Sequence, residues 1–287
     1  EGVRDSCCEI NSLKRISYSV FRKSSYMRLV NAIVAQFPIT LDIKHNLNVI
    51  LSIVKQAKEG DLIVLPEGAL SGYEEDAKFL DRIDISQLQT SLQTLRELVT
   101  QRNVHLVFGS CLHEDSKWFN AGIYYSPHKE FIYRKVNLAT SERGRFIAGS
   151  NLGIIETLIN DQPVKLGVQL CREIRFPEQW QFLARQGAEI FCYLTNTVGD
   201  SAQAQVWRSH LVSRAAENQR FVLCANNAHP AQKCPSMIIT PSGEVIWEKL
   251  SADVAIGRHT LDLSQVSSWY LDQSRRDLLN LANSPRT

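Results

Sequence analysis

The amino-acid sequence predicts an α/β fold, and three observations carry the prediction. Short continuous apolar runs of strand length alternate with segments whose apolar residues recur at helical spacing. The 287 residues are 44% hydrophobic and 22% charged, enough to build one large core. From Met27 onward no Gly/Ser linker, internal repeat or low-complexity tract interrupts the pattern.

The elements follow in order. An apolar segment over residues 29–37 reads as the first strand. Leu47, Ile50, Leu51, Val54 and Ala57 then mark a helix, with Gly60 where a helix stop is expected. Residues 61–65 are a second apolar run, so strand, helix and strand form a crossover unit with both strand faces buried. Ile85, Leu88, Leu92, Leu95 and Val99 mark a second helix, residues 104–111 a strand, and residues 121–125 with 131–133 a hairpin around Pro127. Residues 164–170 are a strand, 177–186 a helix opened by Pro177 and closed at Gly187, and 190–194 another strand. Residues 202–219 are helical, 221–225 a strand, and Pro241-Ser242-Gly243 a turn between two more strands. This order is compatible with a doubly wound sheet and with sheets stacked between helix layers, and the pattern does not choose between them.

Residues 1–26 are poor in apolar periodicity and are expected to be an N-terminal extension, disordered or a leader, with Met27 a candidate natural start. Their basic, serine-bearing stretch also has the composition of an organelle transit peptide, against which Glu1, Asp5 and Glu9 count. Residues 27–287 are expected to form a single domain.

The net charge is +2, from 32 Lys plus Arg against 30 Asp plus Glu, and no basic stripe interleaves with aromatics. Nucleic acid is not an expected partner. No apolar run approaches the roughly 18 residues a membrane span needs, so a soluble protein with no membrane partner is expected. Seven cysteines form an odd number, lie far apart and include no CxxC pair, which points to a reducing compartment and a cytoplasmic location. Cys192 and Cys224 fall inside apolar runs and read as small buried hydrophobes. The seven histidines show no metal-ligand spacing, so no metal and no cofactor is expected.

Three chemically capable residues stand at strand ends, where open α/β sheets present ligands. Glu67 follows Val64-Leu65-Pro66, a position where a desolvated carboxylate suits proton shuttling. Lys135 closes Phe131-Ile132-Tyr133-Arg134. Cys171 ends the strand Lys165-Leu166-Gly167-Val168-Gln169-Leu170, six residues before the helix-opening Pro177. A thiol at such a corner is exposed beside backbone N–H groups that can face an oxyanion. Taken singly, each also fits a structural role: a loop glutamate, a solvent lysine, a buried cysteine.

Taken together they change meaning. The segments Leu65-Pro66-Glu67, Tyr133-Arg134-Lys135-Val136-Asn137-Leu138 and Gly167-Val168-Gln169-Leu170-Cys171-Arg172-Glu173-Ile174-Arg175-Phe176-Pro177-Glu178 closely resemble, in this order, the motifs of the nitrilase superfamily of carbon–nitrogen hydrolases. The flanks Leu70-Ser71-Gly72-Tyr73, Gly187-Ala188-Glu189-Ile190 and Arg214-Ala215-Ala216-Glu217-Asn218-Gln219 agree. The resemblance implies a four-layer α-β-β-α sandwich and a homodimer whose layers continue across the interface. It also implies a catalytic set of Glu67 as general base and acid, Lys135 as oxyanion stabiliser and Cys171 as nucleophile.

A second active-site glutamate of that family is matched by Glu142, whose alternative reading is an ion pair with Arg143 or Arg145. Arg172-Glu173 departs from the Trp-Glu-Asn of true nitrilases, which favours an amidase branch acting on a small linear amide. Carbamoyl-amide hydrolysis, nitrile hydrolysis and a catalytically silent scaffold are the alternatives. The backbone N–H of Arg172 is expected to join Lys135 in holding the oxyanion, where one donor is worth about 3 kcal/mol. The Arg172 side chain either recognises a substrate carboxylate or pairs with Glu173 or Glu178. Tyr73, Asn196 and Trp207 complete the candidate substrate-binding residues, although Trp207, like Trp180, sits at a helical position that reads first as core or interface.

Overall fold

The computed structural model describes residues 27–275; the expected N-terminal extension, with Cys7 and Cys8, and residues 276–287 lie outside the described residues. Among these, strands form two mixed sheets of six. In the first, β12 (Ala255–Asp262), β1 (Leu29–Gln36), β2 (Leu62–Val64), β3 (His105–Glu114), β4 (Lys117–Tyr125) and β5 (Glu130–Arg134) lie side by side in that order. The second runs β11 (Val245–Lys249), β10 (Ser236–Ile239), β9 (Phe221–Ala225), β8 (Ile190–Leu194), β7 (Gln162–Leu170) and β6 (Gly153–Ile159). Each has three central parallel strands, β1-β2-β3 and β7-β8-β9, flanked by antiparallel ones.

Strand alternation sorts side chains into layers. On β1, Val30, Ala32 and Val34 face the second sheet and meet Phe221 and Leu223 of β9, while Ile33 and Ala35 turn outward. Those outward residues are covered by α1 (Ile43–Lys55) and α2 (Ile85–Arg102), which bury Ile50, Ile53, Leu88 and Leu95. On β8, Ile190, Cys192 and Leu194 face inward, and Phe191 and Tyr193 pack outward beneath α3 (Pro177–Arg185) and α4 (Ala204–Asn218). The result is the α-β-β-α sandwich, with both faces of each sheet buried. Pro177 opens α3 as read, whereas α1 ends at Lys55, ahead of the stop expected at Gly60; Asp42 caps α1 by accepting from His45 N and Asp84 caps α2 by accepting from Gln87 N. No helix of the described residues is long and apolar enough to cross a membrane.

Two strands absent from the sequence reading, β6 and β12, each lie at one edge of their sheet, opposite β11 and β5. β12 carries Arg258, His259 and Thr260 exposed in succession, which breaks the apolar run that would have marked it as a strand. The turn Asn160-Asp161 joining β6 to β7 takes φ +51° and +60°, the left-handed pair that a two-residue hairpin requires. The hairpin strand expected from residue 121 begins earlier, at Lys117.

Two glycines let backbones approach. A Cβ on Gly122 of β4 would lie 2.7 Å from Val168 Cγ1 of β7 on the facing sheet. A Cβ on Gly109 of β3 would lie 2.4 Å from Glu67 Cα and 2.6 Å from Gly68 N. Because that obstruction is backbone, Gly109→Ala is expected to displace Glu67, cost about 1–3 kcal/mol of stability and depress turnover more than its stability loss explains. Paired denaturant melts and turnover assays check this; an alanine variant with unchanged activity would refute it.

Candidate active site

The three strand ends meet where the sheets face each other. Glu67 lies three residues beyond β2, Lys135 directly after β5 and Cys171 directly after β7. Glu67 and Lys135 have no exposed surface, and Glu142 is 1% exposed. Lys135 Nζ stands 3.0 Å from Glu67 Oε1 and 2.9 Å from Glu142 Oε1, so one ammonium bridges two carboxylates. Burial opposes a charged lysine, but Glu67, the Cys171 sulfur and Glu142 outweigh it and hold the ammonium firmly protonated, above its ordinary range. Glu142 does not pair with Arg143 or Arg145; Arg145 is taken by Asp81.

Asn120 is a residue the sequence reading missed. Its Nδ2 donates 2.7 Å to Glu67 Oε1 and 2.6 Å to Glu142 Oε1, repeating the bridge that Lys135 makes. Glu67 Oε2 accepts from the Asn196 backbone N–H at 3.1 Å, and Asn196 Nδ2 reaches the Glu67 carbonyl at 3.4 Å. Tyr73 donates its hydroxyl to Glu142 Oε1 at 3.1 Å. Burial, and then the Glu67 and Glu142 charges, push that phenol far above its usual range, so it remains a donor. The Ala139 N–H supplies a further donor, at 2.5 Å to Glu142 Oε2.

Cys171 opens a short 3-10 turn, Cys171–Arg175, with φ +37°. For a residue bearing a Cβ this left-handed backbone is strained, by roughly 1–2 kcal/mol, and it turns the thiol out of the strand direction. The turn is clamped. Tyr193 donates its hydroxyl to the Cys171 carbonyl at 2.7 Å. Buried Glu173 accepts the Leu170 N–H at 2.8 Å on Oε2, and on Oε1 the Tyr133 hydroxyl at 2.7 Å with the Val136 and Asn137 N–H groups at 3.1 Å. One carboxyl thus ties the residue before Cys171 to the two residues after Lys135, across the sheets. Burial pushes the Glu173 carboxyl up, opposed by those donors.

The Cys171 thiol is raised to about 11 by burial and by Glu67, against the lowering pull of Lys135, Thr197 and Thr195. The remaining described cysteines, Cys111, Cys192, Cys224 and Cys234, are buried.

Arg172 is exposed and pairs with neither Glu173 nor Glu178 among the described residues. Successive side chains of a helical turn diverge, and the Glu173 carboxyl is already committed to Leu170, Tyr133, Val136 and Asn137. Trp207 is not brought to the cluster. It is buried on the inner face of α4 with Trp180, Leu183 and Leu211, its ring beneath Arg175 at 5.3 Å.

The family model for carbon-nitrogen hydrolases matches residues 32–270. A probable nitrilase of Schizosaccharomyces pombe is 30% identical over 245 residues, covering 81% of this chain and 88% of its own. An (R)-stereoselective amidase of a Pseudomonas species is 31% identical over 245 residues, covering 82% and 84%. Among solved structures, an amidase from a Nesterenkonia species superposes with a TM-score of 0.73 at 22% identity over 87% of this chain and 94% of its own. The matched family therefore spans β1 to the start of α5 (Trp269–Asp272), taking in all four of Glu67, Lys135, Glu142 and Cys171, and the chain belongs to the carbon-nitrogen hydrolases of the nitrilase superfamily.

Proposed function

We propose that the protein hydrolyses a small linear amide to a carboxylic acid and ammonia through a thioester on Cys171. The observation that carries this reading is the buried Glu67–Lys135–Glu142 cluster beside a cysteine held at positive φ.

The hydrogen bonds separate the roles of the two carboxylates. A carboxylate oxygen has two lone pairs. Glu142 receives four donors, Lys135, Asn120 and Tyr73 on Oε1 and Ala139 on Oε2, against three for Glu67, and Glu67 is the carboxylate whose charge acts on the Cys171 sulfur. Glu67 Oε1 is filled by Lys135 and Asn120, but Oε2 accepts only the Asn196 N–H and keeps one lone pair. Glu67 Oε2 is the atom that takes the thiol proton as sulfur attacks the carbonyl carbon. Lys135 has three N–H bonds, two of them committed to the carboxylates; the third, with the Arg172 backbone N–H, faces the developing oxyanion. Glu67 then returns the proton to nitrogen as the carbon–nitrogen bond breaks. Ammonia leaves, a thioester remains, and Glu67 deprotonates the water that releases the acid. Tyr73 and Asn196 border the same cluster and line the substrate's approach.

Beside the probable nitrilase, the relatives by sequence include several amidases, among them a 2-oxoglutaramate amidase of Bacillus subtilis at 29% identity over 222 residues, and these support an amide substrate. The test is a panel of small amides, carbamoyl amides and nitriles, read by ammonia release, by carbon dioxide release and by intact mass with peptide mapping. An acyl adduct on Cys171 together with acid and ammonia is expected. Carbon dioxide released with ammonia would transfer the reading to carbamoyl amides, and an adduct mapped to any other residue would overturn it.

A further inference from the structure

Two threonines beside the nucleophile have no part in the chemistry described so far. Thr195 and Thr197 directly follow β8, with 0% and 5% exposure. Their hydroxyl oxygens are 2.5 Å apart, and Thr197 Oγ1 is 3.5 Å from Cys171 Sγ. The two hydroxyls and the sulfur form one cluster, in which both threonines act on the sulfur.

The Thr197 hydroxyl is not needed to hold its own loop. The Thr197 N–H donates 2.8 Å to Asn226 Oδ1, and its carbonyl accepts Asn226 Nδ2 at 3.2 Å and the Lys233 N–H at 3.2 Å. Thr195 donates its N–H to the Ala225 carbonyl at 3.0 Å and accepts the Glu67 N–H at 3.3 Å. Backbone placement is therefore complete without either side-chain oxygen. A buried hydroxyl costs desolvation that a valine of the same shape avoids, and here the hydroxyl is aimed at the sulfur.

We propose that Thr197, supported by Thr195, is a further catalytic residue of this site, donating its hydroxyl hydrogen bond to the Cys171 sulfur while that sulfur is a thiolate. The inference rests on the reading of Cys171 as nucleophile. When Glu67 takes the proton, the S–H bond breaks and its electron pair stays on sulfur, now an acceptor with no proton to give. The Thr197 O–H turns toward it, and the Thr195 O–H donates into the Thr197 oxygen. Each hydroxyl keeps its own proton, so the pair acts as a two-step donor and not as acid or base. The need is real at this position: burial and the Glu67 charge both disfavour the thiolate, and Thr197 and Thr195 are two of the three groups that favour it.

The experiment is the pH dependence of iodoacetamide alkylation of Cys171, with amide turnover measured alongside, in wild type, Thr197→Val, Thr197→Ser and Thr195→Val. Loss of a hydrogen bond to a charged group corresponds to about a 10- to 100-fold change. Thr197→Val is expected to move the alkylation midpoint upward by about one pH unit or more and to lower kcat by a comparable factor with KM little changed. Thr197→Ser keeps the hydroxyl and is expected to retain activity within about threefold. Thr195→Val is expected to shift the midpoint in the same direction by less. An unshifted midpoint in Thr197→Val, or a serine variant as impaired as the valine one, overturns the proposal while leaving the Cys171 mechanism standing. Failure of wild-type Cys171 to react with iodoacetamide or to form an acyl adduct overturns the nucleophile reading itself, and this inference with it.

Discussion

Lys135→Met is expected to lower the folding stability by about 3–5 kcal/mol, the range for removing one partner of a buried ion pair, and to abolish amide turnover. Methionine fills the space but leaves Glu67 and Glu142 facing each other, each still held by Asn120 Nδ2 and neither near another cation among the described residues within ion-pair distance. The damage is thus uncompensated charge rather than lost volume. A second substitution distinguishes the two: Lys135→Met with Glu142→Gln removes one charge of each sign and is expected to recover part of the stability without recovering activity. Urea denaturation of the single and double variants measures this. A single variant as stable as the wild type would show that the cluster does not carry the charges assigned to it.

Glu67→Gln is expected to reduce kcat by about 10²- to 10⁴-fold, the usual contribution of a positioned acid–base group. The amide cannot accept the thiol proton, and it also cannot satisfy its neighbours. With its oxygen toward Lys135 and Asn120, its NH₂ confronts the Asn196 N–H; reversed, it confronts the ammonium and the Asn120 amide. A donor faces a donor in either orientation, which costs about 1–3 kcal/mol. Single-turnover mixing with an activated ester separates the steps, since a good leaving group needs no proton from Glu67. Acylation by the ester is expected to survive better than acylation by the amide. Equal losses with both would place the role of Glu67 in structure and not in proton transfer.

The strand ends were legible because an apolar run that stops at a charged or nucleophilic residue is a local signal. Glu67 and Cys171 each followed such a run, whereas Lys135, preceded by Arg134, carried no signal of its own and was legible only through the ordered motifs. Asn120 carried no such signal. It is one polar residue near the middle of β4, and its partner Glu67 lies 53 positions away. Glu173 was paired by adjacency with Arg172, whereas its partners are Tyr133, Val136, Asn137 and Leu170, three of them reached across the sheets. Thr197 likewise meets Cys171 over a separation of 26 residues. Trp207 was open to two readings from helical spacing, and the stripe Trp207, Leu211, Ala215 sets it against the sheet. Contacts between residues far apart in sequence, within a sheet or across the two, leave no periodicity in the chain, and this site is made of them.

The near contact of Gly122 with Val168 bears on more than packing. It lies on the seam between the sheet that carries Glu67, Lys135 and Asn120 and the sheet that carries Cys171 and the two threonines. Each sheet alone holds an incomplete set of reagents: charge and base on one, sulfur on the other. On the proposed mechanism reactivity depends on their alignment, and a chain in which the sheets have formed but not docked would hold the Cys171 thiol away from Glu67. Gly122→Ala, whose Cβ would meet Val168 across that seam, is therefore expected to weaken the proposed activity by shifting one sheet against the other while the strands and helices stay in place.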